Sequence, residues 1–288
     1  MQHFNQNIIN LYGDKGKNWL HSLPKLIQEY AKDWHLTQLK PFENLTYNYV
    51  LSAVQNTKPV VLKVSPDIES LRKEADALRA FNGHSCVKFY AENDDALLIE
   101  RAIPGQSLKN YFNLRDEEAI YIASDLITKL HKAPLPIENQ FPHISDWLAL
   151  LDQDLNIPSE YLQKARDLKN HLLETSPKNV LLHGDLHHDN ILSHSNDWIA
   201  IDPKGIIGDP AYEIAAFIRN PIPDLLTIRN AKEIIEKRIQ VFAHILKTPS
   251  QRIAQWNFVQ AILAWAWALE DDCDPLYFKK FTEICNIY

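Results

Sequence analysis

Leu181-Leu-His-Gly-Asp-Leu-His-His-Asp-Asn-Ile-Leu192, followed by Trp198-Ile-Ala-Ile-Asp-Pro-Lys-Gly205, is the stretch on which the reading of this 288-residue chain turns. Apolar runs flank its polar residues on both sides. Leu181–Leu182, Ile191–Leu192 and Ile199–Ile201 read as short buried strands, with Asp185, Asn190 and Asp202 protruding from their ends into a shared cleft. Carboxylates beside apolar anchors are costly to bury unless a cation or hydrogen bonds compensate. Mg²⁺ takes hard oxygen ligands, so it is the economical compensator for an Asp/Asn pair.

Two other readings compete. His183, His187, His188 and His194 lie close in sequence, as a zinc or di-metal hydrolase would need. There is no H-E-x-x-H, however, and His183 and His187 flank Asp185 rather than enclosing a Glu. A polar loop with N-capping Asp and Asn explains one of these residues but not the ordered set. The order His-x-Asp-x-x-x-x-Asn, with an Asp twelve residues further on after an apolar strand, resembles the catalytic and metal loops of protein-kinase-like enzymes. Phosphoryl transfer needs a carboxylate to orient and deprotonate the acceptor hydroxyl, two oxygen ligands for Mg²⁺, and a cation on the phosphates.

Working outward, the cation is Lys63 in Val60-Val-Leu-Lys-Val64, an apolar strand where a charge is out of place unless it reaches into a cleft. Glu74 sits at the edge of the stripe Ile68, Leu71, Ala75 and Leu78 on the helix expected over Pro66–Phe81. A Lys on a strand paired with a Glu on the next helix holds the amine against nucleotide phosphates. Before Pro104-Gly105 the chain is β-rich. Asn44–Val54 reads as a strand pair, Pro59–Val64 as a third strand, and Val87–Ala91 and Ala96–Ala102 as two more. A helix over Asn18–Trp34 precedes them. After Pro104 helices dominate: Asp116–His131, Ser145–Leu155, Glu160–Glu174, Pro210–Arg219, Ala231–Leu246 and Gln251–Asp271. The expected architecture is α+β and bilobal: a nucleotide-binding small lobe over 1–102 with one internal helix, then a larger helical lobe over 103–288. The apolar run Phe258–Leu269 is shorter than the roughly 18–20 residues of a membrane span and reads as a core helix.

Composition excludes several classes. Hydrophobic residues at 45% and charged residues at 23% are ordinary globular usage, which argues against a disordered or collagenous chain. None of the 7 glycines is spaced as in G-x-G-x-x-G or G-x-x-x-x-G-K-[ST], so a Rossmann fingerprint and a P-loop are absent. A net charge of −7 without a basic run excludes a nucleic-acid partner and suits a cationic small substrate. Three cysteines without C-x-x-C spacing read as reduced thiols. Met1–Asn10 has no apolar segment of a secretory signal. The expectation is a cytoplasmic protein without a membrane partner; its oligomeric state is left open, with a monomer favoured.

The phrases His183-Gly-Asp-Leu-His-His-Asp-Asn-Ile191 and Ile201-Asp-Pro-Lys-Gly-Ile-Ile-Gly-Asp-Pro-Ala-Tyr212 look like the aminoglycoside/hydroxyurea antibiotic resistance kinases, which include streptomycin 6-phosphotransferases. Weaker matches extend along the chain: Trp19-Leu-x-Ser-Leu-Pro24, Asn44-Leu-Thr-Tyr-Asn-Tyr-Val50, Val61-Leu-Lys-Val64, Leu98-Ile-Glu-Arg101 and Trp265-Ala-Trp-Ala-Leu-Glu-Asp271. The resemblance implies a protein-kinase-like fold and transfer of the ATP γ-phosphate, with Mg²⁺, to a hydroxyl of a streptomycin-like or hydroxyurea-like acceptor. It implies Asp185 as catalytic base, Asn190 and Asp202 as metal ligands, and Lys63 with Glu74 on the phosphates. The backbone of Glu100 to Ala102 would meet the adenine, and Lys204 would add charge near the phosphates. A metabolic kinase of the same fold, acting on another hydroxylated amine or sugar, and a silent nucleotide-binding protein are the alternatives.

Departures from the wider kinase pattern matter too. Asn44–Val50 holds no glycine, so Asn48 is the candidate phosphate contact in place of a Gly-rich flap. Gly184 stands where eukaryotic-type protein kinases carry an Arg, and no Ala-Pro-Glu follows; both argue for a small-molecule acceptor rather than a peptide. Glu270, Asp271 and Asp272, ending an apolar helix against its dipole, read either as simple solvation of the helix end or as an acidic wall for a cationic substrate; Trp265 is a candidate lining residue there, with core packing as the other reading for Trp265 and Trp267. His183 reads as a buried organiser of its loop, and Asp209 and Glu213 as braces of the following helix.

Overall fold

The computed structural model describes residues 2–136 and 140–286; residues 1 and 287–288, the outer ends of the two expected lobes, lie outside that description. The chain divides into two compact units, Met1–Gly83 with Val87–Ile103, and His84–Cys86 with Pro104–Tyr288.

The first unit is an antiparallel sheet of β1 (Leu36–Pro41), β2 (Tyr49–Gln55), β3 (Lys58–Val64), β4 (Phe89–Asn93) and β5 (Ala96–Glu100), in the order β1-β2-β3-β5-β4. Alternation along β3 sends Val60, Leu62 and Val64 into one buried cluster with Leu51, Ala53, Leu98 and the apolar residues of α1 (Gln2–Asp33). Lys63, of opposite parity, reaches α2 (Ile68–Phe81) instead. Asp67 starts α2 by accepting the Ser70 N–H at 3.0 Å, and Asn82 ends it in the left-handed region at φ 46°.

Two expectations here are corrected. The first helix begins at Gln2 rather than Asn18 and is broken at Gly13, whose φ of 56° and ψ of −130° no helix contains. Phe4 and Ile8, at helical spacing in the polar N-terminal stretch, are buried. The partner of β2 is β1, not a strand within Asn44–Val54, and residues 42–48 form a loop. β1 lacks clean alternation because a bulge between Thr37 and Lys40, with Gln38 at φ 56°, resets its register.

The second unit holds two small sheets. β6 (Pro104–Ser107), β8 (Ile191–His194) and β9 (Asp197–Ala200) form one, in the order β6-β8-β9; β7 (Val180–Leu182) and β10 (Ile206–Gly208) pair in the other. Around them lie α3 (Asp116–Leu130), α4 (Ile144–Leu148), α5 (Ser159–Glu174), α6 (Ile214–Ile218), α7 (Ala231–Leu246), α8 (Ser250–Glu270) and α9 (Leu276–Cys285). The expected helices Ser145–Leu155 and Pro210–Arg219 are each part α-helix and part 3₁₀ turn. α9 has no counterpart among the expected elements. The apolar run Phe258–Leu269 is the buried spine of α8, and no described helix is long and apolar enough to cross a membrane.

Asp209 fastens the start of α6 to that spine. Its carboxylate accepts the Ala211 N–H at 2.9 Å, the Trp256 indole N–H at 2.8 Å and the Arg252 Nε–H at 2.8 Å, and is fully enclosed. A buried ion pair that loses one partner leaves an uncompensated charge. Asp209→Ala is therefore expected to destabilise the protein by about 3 kcal/mol, read as a shift of the urea midpoint at unchanged slope; a loss below about 1 kcal/mol would contradict this role.

Candidate active site

The loop that carries Asp185 is pinned from beneath. Glu213 accepts the His183 N–H at 2.6 Å and the Gly184 N–H at 3.0 Å. Burial alone would raise the Glu213 carboxyl; the His131 imidazole 3.7 Å away and the hydrogen bond from the His183 N–H outweigh it and hold the carboxyl below its ordinary value. His183 is enclosed. Its Nδ1 accepts the Asp185 N–H at 3.2 Å, which fixes the tautomer in which Nε2–H donates to the Ile201 carbonyl at 2.8 Å. The Asp185 carbonyl accepts from the His187 N–H at 3.0 Å and from Asn190 Nδ2 at 2.9 Å. Every turn of the loop is thus tied, while the Asp185 side chain stays 31% exposed.

Two basic groups face that carboxylate. Arg219 Nη2 lies 3.8 Å from Asp185 Oδ1, and Gln260 holds the same guanidinium at 2.8 Å. His187 Nε2 lies 3.7 Å from Oδ2. Burial pushes the His187 imidazole below its ordinary value against the pull of Asp185 and Asp189, so it is a neutral neighbour at pH 7. His188 is buried, stacked on Phe217 with centroids 3.9 Å apart, and burial beside Arg238 drives its imidazole well below the ordinary range. Arg238, fully buried, donates Nε–H to Asp116 at 2.9 Å and Nη1–H to the carbonyls of Phe217 and Ile218 at 3.2 and 3.0 Å. The chain leading into Arg219 is held by these bonds. Among the described residues no three His, Cys, Asp or Glu gather as a metal cage; the histidines organise the loop.

Strand pairing explains the spacing between Asn190 and Asp202. In the β8–β9 hairpin Ile191 faces Ala200, and the Ile201 N–H donates to the Asn190 carbonyl at 3.0 Å. Asp202 follows at once, in the left-handed region at φ 59°. The Asn190 amide nitrogen is turned to the Asp185 carbonyl, which leaves its oxygen as the outward donor. One amide oxygen and one carboxylate are hard donors, too few for a protein cage and suited to an ion that also binds phosphate, so the residues present fit Mg²⁺.

A cavity of about 540 Å³ opens beside Asp185 and Gly184. Trp147, Trp267 and Phe278 supply much of its apolar wall, with the two indoles edge to face at 5.7 Å. Its charged lining groups are Asp185, Asp271, Lys204 and Arg219. Of the expected acidic wall, Asp271 lines the cavity, whereas Glu270 and Asp272 are exposed outside the lining. Trp265 packs in the core beside Tyr161, the second of its two readings, and it is Trp267, two residues on and across the helix, that lines the cavity. Gly184 is required here. Its φ is 85°, and a Cβ would meet Ile206, Trp147 and Lys204 side chains at 3.1–3.3 Å.

In the first unit Lys63 Nζ lies 2.6 Å from Glu74 Oε2, with the residues 3% and 8% exposed. An ion pair so buried contributes little to stability by itself. Glu100 spends its N–H on the Lys88 carbonyl at 2.8 Å, and Ala102 is buried at the end of that stretch. Asn48 is half-buried at the end of loop 42–48. Sequence reasoning missed Arg219, Trp147 and Phe278. Arg219 carried a signal, being the one charge that ends the apolar run Ile214–Ile218; the two aromatics looked like any core residue.

The family model described as aminoglycoside/hydroxyurea antibiotic resistance kinase matches residues 33–272. Streptomycin 6-kinase of Streptomyces glaucescens is 23% identical over 274 residues, covering 90% of this chain and 87% of that protein. Hydroxyurea phosphotransferase of Kitasatospora aureofaciens is 26% identical over 270 residues, covering 90% and 77%. Among solved structures, a thermostable mutant of aminoglycoside phosphotransferase APH(4)-Ia, in a ternary complex with ADP and hygromycin B, superposes with a TM-score of 0.65 at 14% identity over 90% of this chain and 96% of that one. Such a likeness shows that the fold is the protein-kinase-like fold of these phosphotransferases.

The depressed Glu213 carboxyl has a consequence for stability. A group whose folded pKa lies below its unfolded value stabilises the protein above the ordinary carboxylate range, and that contribution is lost as pH falls through the folded value. Glu213→Gln is therefore expected to lower the melting temperature by roughly 3–6 °C at pH 7, with the gap to the parent narrowing only as the pH falls below the ordinary carboxylate range. A gap independent of pH would show that the charge is not what holds the loop.

Proposed function

The chain belongs to the aminoglycoside/hydroxyurea antibiotic resistance kinase family, and from that premise we propose that it transfers the γ-phosphate of ATP to a hydroxyl of an aminoglycoside-like acceptor. The observation that carries the reading is the tethered carboxylate of Asp185 opening onto a cavity of about 540 Å³ with aromatic walls. That volume suits a drug-sized ligand, whereas a molecule as small as hydroxyurea would leave most of it to water. Streptomycin is the acceptor in the name of a relative that aligns over most of both chains. Asp271 and the indole faces suit a guanidinium or ammonium group on the acceptor.

In this reading Asp185 accepts the acceptor's hydroxyl proton and aims its oxygen, its loop backbone already fixed by Glu213 and His183. Arg219 orients the carboxylate. Arg219 and Lys204 together favour the negative charge of the transferring group. Asn190 and Asp202 would hold Mg²⁺, which when bound neutralises charge on the phosphates. Lys63, braced by Glu74, holds phosphate oxygens, and the Ala102 backbone offers hydrogen bonds to the adenine edge. The first unit is accordingly the nucleotide-binding part, the second the part that carries the base and the acceptor. Three free cysteines support a cytoplasmic place of action.

ADP release measured with streptomycin, hydroxyurea and simple amino alcohols tests the proposal. Turnover is expected with streptomycin; tight Mg·ATP binding with no turnover on any acceptor would instead favour a silent nucleotide-binding protein. Asp185→Ala should lower transfer by roughly 10²- to 10⁴-fold and leave nucleotide affinity close to that of the parent. Comparable loss of nucleotide affinity would count against its role as base. Asp202→Ala should abolish the Mg²⁺-dependent part of nucleotide binding, and calorimetry in Mg²⁺ that matches the parent would remove it from the metal site.

A further inference from the structure

Loop 42–48 has no glycine, so it cannot mould itself around an anion through freely adopted left-handed backbone. Its shape must be set from outside, and the first half of α1 is in place to set it. Asn7 Nδ2 donates to the Thr46 carbonyl at 3.2 Å. The Phe4 ring lies 5.5 Å from Tyr49, the first residue of β2, and 6.3 Å from Trp19. Leu45, in the middle of the loop, is buried in the same cluster as Phe4 and Ile8.

This half-helix is itself locked. Eight residues of continuous helix advance about 12 Å, yet a Cβ on Gly16 would stand 2.5 Å from the Ile8 carbonyl oxygen. The chain therefore doubles back at Gly13, and Gly16 allows the two halves to touch backbone to backbone. All of these residues except those of the loop and β2 precede position 33, where the family match begins.

We infer that residues 2–16 are a positioning brace for the nucleotide loop, acting through Thr46 and Tyr49, and that slack in the brace weakens nucleotide binding without disturbing acceptor binding. The inference rests on the reading that loop 42–48, with Asn48, faces the nucleotide. A polar tether from a partly exposed side chain has little reason to exist for stability alone, since the net gain from such a hydrogen bond is small. It does restrict where the Thr46 backbone can go, and that is what a loop without glycine lacks.

The test uses the full chain and Mg·AMP-PNP as probe. In the parent, hydrogen exchange at amides 43–48 should slow when Mg·AMP-PNP binds; no protection there would overturn the loop reading and this inference with it. Asn7→Ala, a change at a partly exposed position, should weaken Mg·AMP-PNP binding roughly three- to tenfold and speed exchange at amides 43–48 in the free protein. Its melting temperature, its kcat at saturating ATP and its KM for the acceptor should match the parent. Gly16→Ala should weaken nucleotide binding more strongly, and Lys25→Ala, at an exposed position in the second half of α1, should change nothing. Parent-like nucleotide affinity in Asn7→Ala, with the loop protected in the parent, would overturn the brace and leave the loop reading standing.

Discussion

A single enclosed carboxylate carries the geometry of the loop around Asp185. Glu213 accepts two consecutive backbone N–H groups, from His183 and Gly184, and charge-assisted bonds of this kind are about twice as strong as neutral ones. From that anchor the order propagates by short steps. His183 bridges the Asp185 N–H and the Ile201 carbonyl, and Asn190 returns to the Asp185 carbonyl. Four residues earlier than Glu213, Asp209 binds Arg252 and Trp256 of α8. The phrase Asp209-Pro-Ala-Tyr-Glu213 is thus a clamp with one jaw on the helical core and the other under the loop.

A second anchor works alongside it. Arg238 is enclosed with Asp116 and with the carbonyls of Phe217 and Ile218, so the backbone that delivers Arg219 and Asn220 to the cavity is fixed independently of the loop. His188, stacked on Phe217, links the two anchors. The result is a carboxylate on a rigid base beside a roomy cavity. Precision is concentrated at Asp185, and the cavity wall is left to broad apolar surfaces.

Much of this was legible in the sequence because it is written in local order. The His-x-Asp-x-x-x-x-Asn phrase, the charged Lys63 in an apolar strand and the apolar stripe carrying Glu74 each show themselves within a few residues. So did the helices α3, α5 and α7, whose apolar spacing is regular, and α8, which shows as a nearly continuous apolar run. What stayed hidden depends on partners distant in the chain. Phe4 and Ile8 look like stray apolar residues until the fold back at Gly13 presses them onto the sheet. β1 shows no alternation because its bulge shifts the parity halfway along. Trp265 and Trp267 are indistinguishable by composition, and only the rotation of α8 against α4 and α9 decides that Trp267 and not Trp265 meets the cavity. Arg219 required knowing that α6 ends beside Asp185.

The β8–β9 hairpin has a bearing on how such a chain can change over evolutionary time. Ser195 and Asn196 alone separate its strands, and Ser195 sits at φ 54°. One residue gained or lost in either arm would shift the register in which Ile191 faces Ala200 and the Ile201 N–H meets the Asn190 carbonyl, and so would displace Asp202 relative to Asn190. Length variation among descendants should therefore accumulate elsewhere and spare the interval between these two positions, even where the residues within it drift freely.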